Sequence, residues 1–198
     1  LNYLNHALAS GGFSLEISKN YKFKKPLVVY NNFSNLLKES IVNYKNLITI
    51  NENSELNLIN YIDVSSKENF MVNTIENIII KKDSSLNNIL INNSKSNGYF
   101  YKYLVGDLGK NSNLDNYLIS SGLKFNKFDF EINLNEEQSK SSVFSALNLV
   151  RNEHQELKTR INHNAPNCHS FQKVKNVLNN ESKGVYQGKI FVKNIAQK

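Results

Sequence analysis

"NSELNLI" (53–59), "DSSLNNILI" (83–91) and "NSNLDNYLI" (111–119) follow one plan: a small polar turn, then a leucine that opens an apolar run. The three leucines, Leu56, Leu86 and Leu114, stand 30 and 28 residues apart. A polar turn and a strand returning at nearly constant spacing are what a coiled β-solenoid produces, because each circuit brings the chain back to the same corner. Asn and Ser suit such corners: Asn tolerates the left-handed backbone, and both side chains bond nearby backbone groups. A β-sandwich also yields alternating strands, but its hairpins recur at roughly 8–12 residues with Gly-rich turns, and only 8 glycines are available. The spacing therefore predicts an all-β fold, a right-handed parallel β-helix, with corners at 53–55, 83–85 and 111–113 stacked above one another.

The segments around this repeat agree. In "KFDFEINL" (127–134) Phe128, Phe130, Ile132 and Leu134 alternate with Asp129, Glu131 and Asn133. In "GVYQGKIFV" (184–192) Tyr186, Ile190 and Val192 share a face with Gly188, opposite Gln187 and Lys189. Period two marks half-buried strands. "LITI", "ENIIIKK" and "NNILINN" are short β-rich runs bounded by polar residues. Two places resist. "LNYLNHALA" (1–9) sets Leu1, Leu4 and Leu8 at helical spacing before Gly11 and Gly12, which predicts a short N-terminal helix. "FQKVKNVLNN" (171–180) puts Phe171, Val174, Val177 and Leu178 on one helical face, and "RNEHQELKTR" (151–160) reads equally as a helix or a polar strand.

A chain of 198 residues is enough for one domain with a substantial core. It begins with Leu1, and we read it as a piece of a longer protein. No apolar run approaches the roughly 18 residues of a spanning helix, so no membrane partner is expected. The single cysteine rules out an internal disulfide and fits a reducing, cytoplasmic setting. The net charge of +7 lies entirely in residues 158–198, where eight basic side chains face Glu181 alone. No aromatic–basic stacking pattern accompanies these lysines, so nucleic acid is not expected as a partner.

The chemistry-bearing residues concentrate in "HNAPNCHS" (163–170), where Cys168 follows His163 by five positions and precedes His169. Tetrahedral zinc takes paired ligands two to four apart, and His6 and His154 supply no matching pair. A Cys–His nucleophile is disfavoured because adjacent strand side chains point to opposite faces. Cys168, His163 and His169 are thus read as scaffold residues with a minor chance of touching sulfur or metal; thiolate and neutral imidazole are a ligand set for soft metals. Asp129 and Glu131 lie two apart on one strand face, the arrangement a β-helix polysaccharide lyase or hydrolase needs. They also occupy the polar side of an alternating strand, where surface acids belong, and Glu136-Glu137 reads as a solvated turn. We expect no catalytic residue and no phosphate loop or dinucleotide fingerprint is present.

The C-terminal stretch "HNAPNCHSFQKVKNVLNNESKGVYQGKIFVKNIAQK" (163–198) resembles the core of the SufB/SufD family of iron–sulfur cluster assembly proteins. The resemblance is carried by His163 three residues before Pro166, by Ser170 and Gln172, by "KGVYQGKIFV" and by the closing "AQK". Upstream, "NSELNLINY", "MVNTIENIII" and "YLVGDLGKNSNLDNYLISSG" are similar in their order of turns and strands, and "LNHALASGGFSLEI" looks like the segment that leads into the core. Residues 1–198 would then be one β-helix core domain, without the N-terminal and C-terminal helical regions of the family. The resemblance implies a non-catalytic scaffold subunit, with "VYQGKIFV…IAQK" looking more like the SufD type than the SufB type. It makes "FQKVKNVL" a strand. The implied partners are a SufB-like subunit and a SufC-like ATPase, the latter through C-terminal helices beyond this sequence; the Fe–S cluster would be transient, with no cofactor resident here. The His usually implicated at the cluster site belongs to a Cys-Ser-His run that this sequence does not contain, so no catalytic residue is carried over. Because a β-helix ends in open strand edges, Ile190, Val192 and Lys189 are expected at the interface with the SufB-like partner.

Overall fold

Strand alternation and corner chemistry close the chain into a two-faced coil. The computed structural model describes residues 1–22, 24–34 and 37–197; Lys198, the last residue of "AQK", lies outside them. One short helix, α1 (Asn2–Leu8), precedes thirteen strands: β1 (Ser14–Ile17), β2 (Leu27–Phe33), β3 (Ser40–Ile50), β4 (Glu55–Val64), β5 (Phe70–Ile80), β6 (Ser85–Ser94) and β7 (Tyr99–Leu108), then β8 (Asn113–Gly122), β9 (Phe125–Leu134), β10 (Lys140–Leu149), β11 (His154–His163), β12 (His169–Leu178) and β13 (Lys183–Val192). The odd strands form one sheet in the order β1-β3-β5-β7-β9-β11-β13 and the even strands the other, β12-β10-β8-β6-β4-β2. Every pairing is parallel. The fold is a parallel β-solenoid of about six turns.

The leucine repeat sets the register. Leu56 pairs with Leu86, and Leu86 with Leu114, so the three stand in one inward column and are almost fully buried. On the other sheet Ile50, Ile80, Leu108 and Leu134 form a second column. Stacking like residues lets each coil bury its apolar face against the next, which no coil achieves alone.

The corners use the backbone chemistry expected of them. At the turns entering the even strands, Asn20, Asn53, Asp83, Asn111, Gln138 and Asn167 each adopt positive φ. Asn53 Nδ2 donates to Asn20 Oδ1 at 2.9 Å and Asn111 Nδ2 to Asp83 Oδ1 at 2.8 Å, tying corner to corner. A serine follows at four of these six corners: Ser54, Ser84, Ser112 and Ser139 are buried and cap turn carbonyls through their hydroxyls.

The helix at 1–9 forms as expected, but its leucines do not face the core. Leu1, Leu4 and Leu8 are exposed, while Asn5 is fully buried. Asn5 Nδ2 donates to Asn73 O at 2.7 Å and to Tyr44 O at 3.2 Å, and Asn73 Nδ2 returns a bond to Leu1 O. Here an amide, rather than an apolar stripe, pins the helix to the outside of β3 and β5. The following Gly12 is required: its φ is +136° and a Cβ would fall 1.9 Å from Lys45 O.

Of the two readings of "FQKVKNVLNN", the helical face and the strand that the resemblance implies, the strand forms. The segment is β12, because its pairing with β10 satisfies ten consecutive positions in parallel register. "RNEHQELKTR" resolves in the same way into the turn before β11 and the strand itself.

Polar residues also enter the interior. Glu76 and Lys102 point inward and form a 2.8 Å ion pair, with side chains 1% and 6% exposed. Asn60 donates to Asn88, and Asn88 to Asn116 and, at 3.4 Å, to Glu76. Burial and the Glu76 charge together hold the Tyr44 phenol well above its ordinary range. Removing Lys102 would strand a buried carboxylate, a loss of about 3–5 kcal/mol.

Stability should follow the columns. Leu86→Ala is expected to cost about 2–5 kcal/mol, whereas Ile79→Ala on the outer face should change stability by less than about 0.5 kcal/mol. Urea titration followed by circular dichroism checks both.

Candidate functional site

Inward positions of β11, β12 and β13 meet at the last coil described. On β11, Thr159 and His163 continue the columns that hold Phe130 and Leu134 on β9. On β12, Ser170 and Gln172 continue those of Ser141 and Val143 on β10. Tyr186 and Gly188 of β13 lie beside Leu157 and Thr159. Apolar positions deeper in the solenoid thus become polar ones here.

These side chains bond to one another across the gap between the sheets. His163 Nε2 lies 2.9 Å from Ser170 Oγ. Tyr186 OH donates to Gln172 Oε1 at 2.7 Å, Thr159 Oγ1 bonds to the same oxygen, and Thr159 Oγ1 is 3.3 Å from Tyr186 OH. Gly188 keeps the site open for the phenol: a Cβ there would fall 2.7 Å from Tyr186 OH.

Burial is the main force drawing the His163 imidazole below its ordinary pKa. The neighbouring His169 charge adds to it, against a hydrogen bond to the Cys168 backbone. His163 is therefore neutral at pH 7, with one ring nitrogen engaged by Ser170 and the ring half-buried.

Cys168 has a defined structural role. It stands immediately before β12, the position Ser54, Ser84, Ser112 and Ser139 hold before their own strands. Its Sγ lies 3.3 Å from Ser139 Oγ and 3.4 Å from Glu136 O, continuing the serine column one coil further. Thiol replaces hydroxyl at a corner, packed against the core. His169 opens β12 on the outer face and is exposed. The three candidates of "HNAPNCHS" thus divide between interior, corner and surface. Among the described residues no group of three or more His, Cys, Asp and Glu side chains is placed to hold a metal ion.

Asp129 and Glu131 are not the free surface acids the alternation suggested. Tyr101 OH donates to Asp129 Oδ2 at 2.9 Å and Tyr103 OH to Glu131 Oε2 at 2.9 Å. Arg160 lies 3.8 Å from Glu131. Burial, with the Glu131 hydrogen bond and charge, pushes the Tyr103 phenol up to about 12. Both carboxylates are held in place by tyrosines one coil back.

Sequence reasoning singled out His163, Ser170 and Gln172 but missed Thr159 and assigned no role to Tyr186. The signal for Thr159 was period two: it shares a face with Leu157 and Ile161 in "ELKTRI".

The last coil described thus gathers an imidazole, an amide and three hydroxyls between its two sheets. The sequence matches the family described as "SUF system FeS cluster assembly, SufBD core domain" over residues 32–198. The chain belongs to the SufB/SufD family, whose members are scaffold proteins of SUF iron–sulfur cluster assembly. A search of curated proteins finds no match.

The His163 shift carries a pH signature. A depressed imidazole stabilises the fold fully above its unfolded value of about 6.5, and that contribution falls away as pH drops toward the folded value. His163→Gln should therefore flatten the dependence of melting temperature on pH in that window, and ring NMR titration of the parent should place His163 below the ordinary imidazole value.

Proposed function

We propose that this chain is a SufD-type, non-catalytic subunit of the SUF scaffold, pairing with a SufB-like subunit and working with a SufC-like ATPase in the cytoplasm. The carrying observation is the convergence of His163, Ser170, Gln172 and Tyr186 inside the last coil, beside the free edge of β13. The residues on which the family resemblance rests are the ones that line this end. Sulfur and iron would be cargo here: neutral imidazole is a donor suited to iron, and the hydroxyls and amide suit sulfide as hydrogen-bond partners.

Pairing would use the edge strand. Among the described residues β13 is the edge strand of its sheet, and such an edge accepts a strand from another chain. Ile190 and Val192 continue the inward columns but are 55% and 36% exposed at the open end. Lys189 lies on the outer face beside Arg160. Its charge would steer an acidic neighbour toward the edge.

Replacing Ile190 and Val192 with Asp should abolish co-purification with a co-expressed SufB-like subunit while circular dichroism and melting temperature stay close to the parent. Retention of the partner by a folded variant would place the interface elsewhere.

The glycan-cleaving alternative is tested separately. The chain should release no unsaturated product from polyuronate, and Asp129→Asn or Glu131→Gln should leave that baseline unchanged. Cleavage lost on either substitution would displace the scaffold reading.

A further inference from the structure

Charge is sorted between the two corners of the solenoid. At the corner entering the even strands, basic side chains pair with acids: Lys19 with Glu52 at 3.0 Å, Lys22 with Glu55 at 2.9 Å, and Lys110 with Glu137 at 3.6 Å. The corner entering the odd strands is different. Lys67, Lys95, Lys124 and Arg151 occupy it in four successive coils, all exposed, and line one trough of about 730 Å³. Among the described residues none of the four forms an ion pair with a carboxylate within 4.0 Å. Glu153, the acid in the trough wall, is already engaged by the Val150 backbone N–H at 3.0 Å. Glu68 flanks Lys67 in sequence but does not line the trough.

We propose that this corner is a docking surface for an extended acidic segment of a partner protein. Coils stacked about 4.8 Å apart place the four cations along roughly 14 Å, and residues i, i+2 and i+4 of an extended peptide span about the same length. A strand carrying an acid at every second position therefore meets the whole row with one face. Asn97 and Asn152, which also line the trough, offer amide donors and acceptors of the kind a peptide backbone satisfies. Nucleic acid fits less well, because among the described residues no aromatic side chain lines the trough as a stacking platform. Tyr99 lies behind Lys124, whose Nζ is 5.6 Å from the ring centroid. The surface is independent of the β13 edge and stands whichever branch of the family the chain represents.

The test uses the chain itself and a fluorescein-labelled peptide of alternating glutamate and serine, long enough to span the row. Anisotropy at low salt should show saturable binding that weakens as salt rises. The Lys67→Gln/Lys95→Gln/Lys124→Gln variant should bind roughly tenfold or more weakly. A control carrying Lys19→Gln/Lys22→Gln/Lys110→Gln on the paired corner should bind like the parent, with melting temperatures reported for all three proteins. The single Lys95→Gln variant should show a smaller loss in the same direction. Equal loss in both triple variants would reduce the effect to net charge and overturn the proposal. Absence of peptide binding would also overturn it, as would a single-stranded oligothymidine that binds the trough more tightly than the peptide.

Discussion

Parallel register is the constraint on which this structure depends. Each strand hydrogen-bonds to the equivalent strand one coil away, so a residue's neighbour is fixed by a step of 26–33 positions along the chain. Leucine must then stack on leucine at Leu56, Leu86 and Leu114, and a left-handed residue recurs at each corner entering the even strands. A slip by one residue would turn every inward side chain outward. The corner amide bonds, the serine column and the sorting of charge between corners all follow from this single periodic condition.

The same condition explains how a polar site arises inside a closed fold. A buried polar group needs a partner, and in a solenoid the partner is one coil up, one coil down or across the gap. Glu76 and Lys102 solve the problem in the middle of the stack, and the Asn60, Asn88 and Asn116 amides beside them. At the last coil Thr159, His163, Ser170, Gln172 and Tyr186 solve it with neutral groups. The interior ion pair has a coil on both sides, whereas the neutral cluster lies in the last coil described.

The fold was legible because repetition multiplies a weak signal. One "NSELNLI" proves little, but its return after 30 and 28 residues defines a coil. What stayed hidden was set by contacts across coils. The spacing of Leu1, Leu4 and Leu8 announced a helix but pointed to the wrong face, since Asn5 found two backbone carbonyls on the sheet. The helical spacing of Phe171, Val174, Val177 and Leu178 was coincidental, and pairing with β10 overrode it. Cys168 drew attention as the lone thiol, yet its meaning lay in Ser139, 29 residues away. The unpaired cationic corner left no trace in the net charge, because residues 1–157 sum to zero while their acids gather elsewhere.

Strand contacts run overwhelmingly to the coil directly above or below. Such an array behaves as a one-dimensional chain of coupled units, each held by two neighbours in the middle and by one at an end. Coils with neighbours on both sides are therefore the hardest to open, so amide exchange should be slowest in the middle of the stack, around β7. The central ion pair sits among those that open last. The Glu76–Lys102 pair is thus placed where transient exposure of a buried charge is rarest.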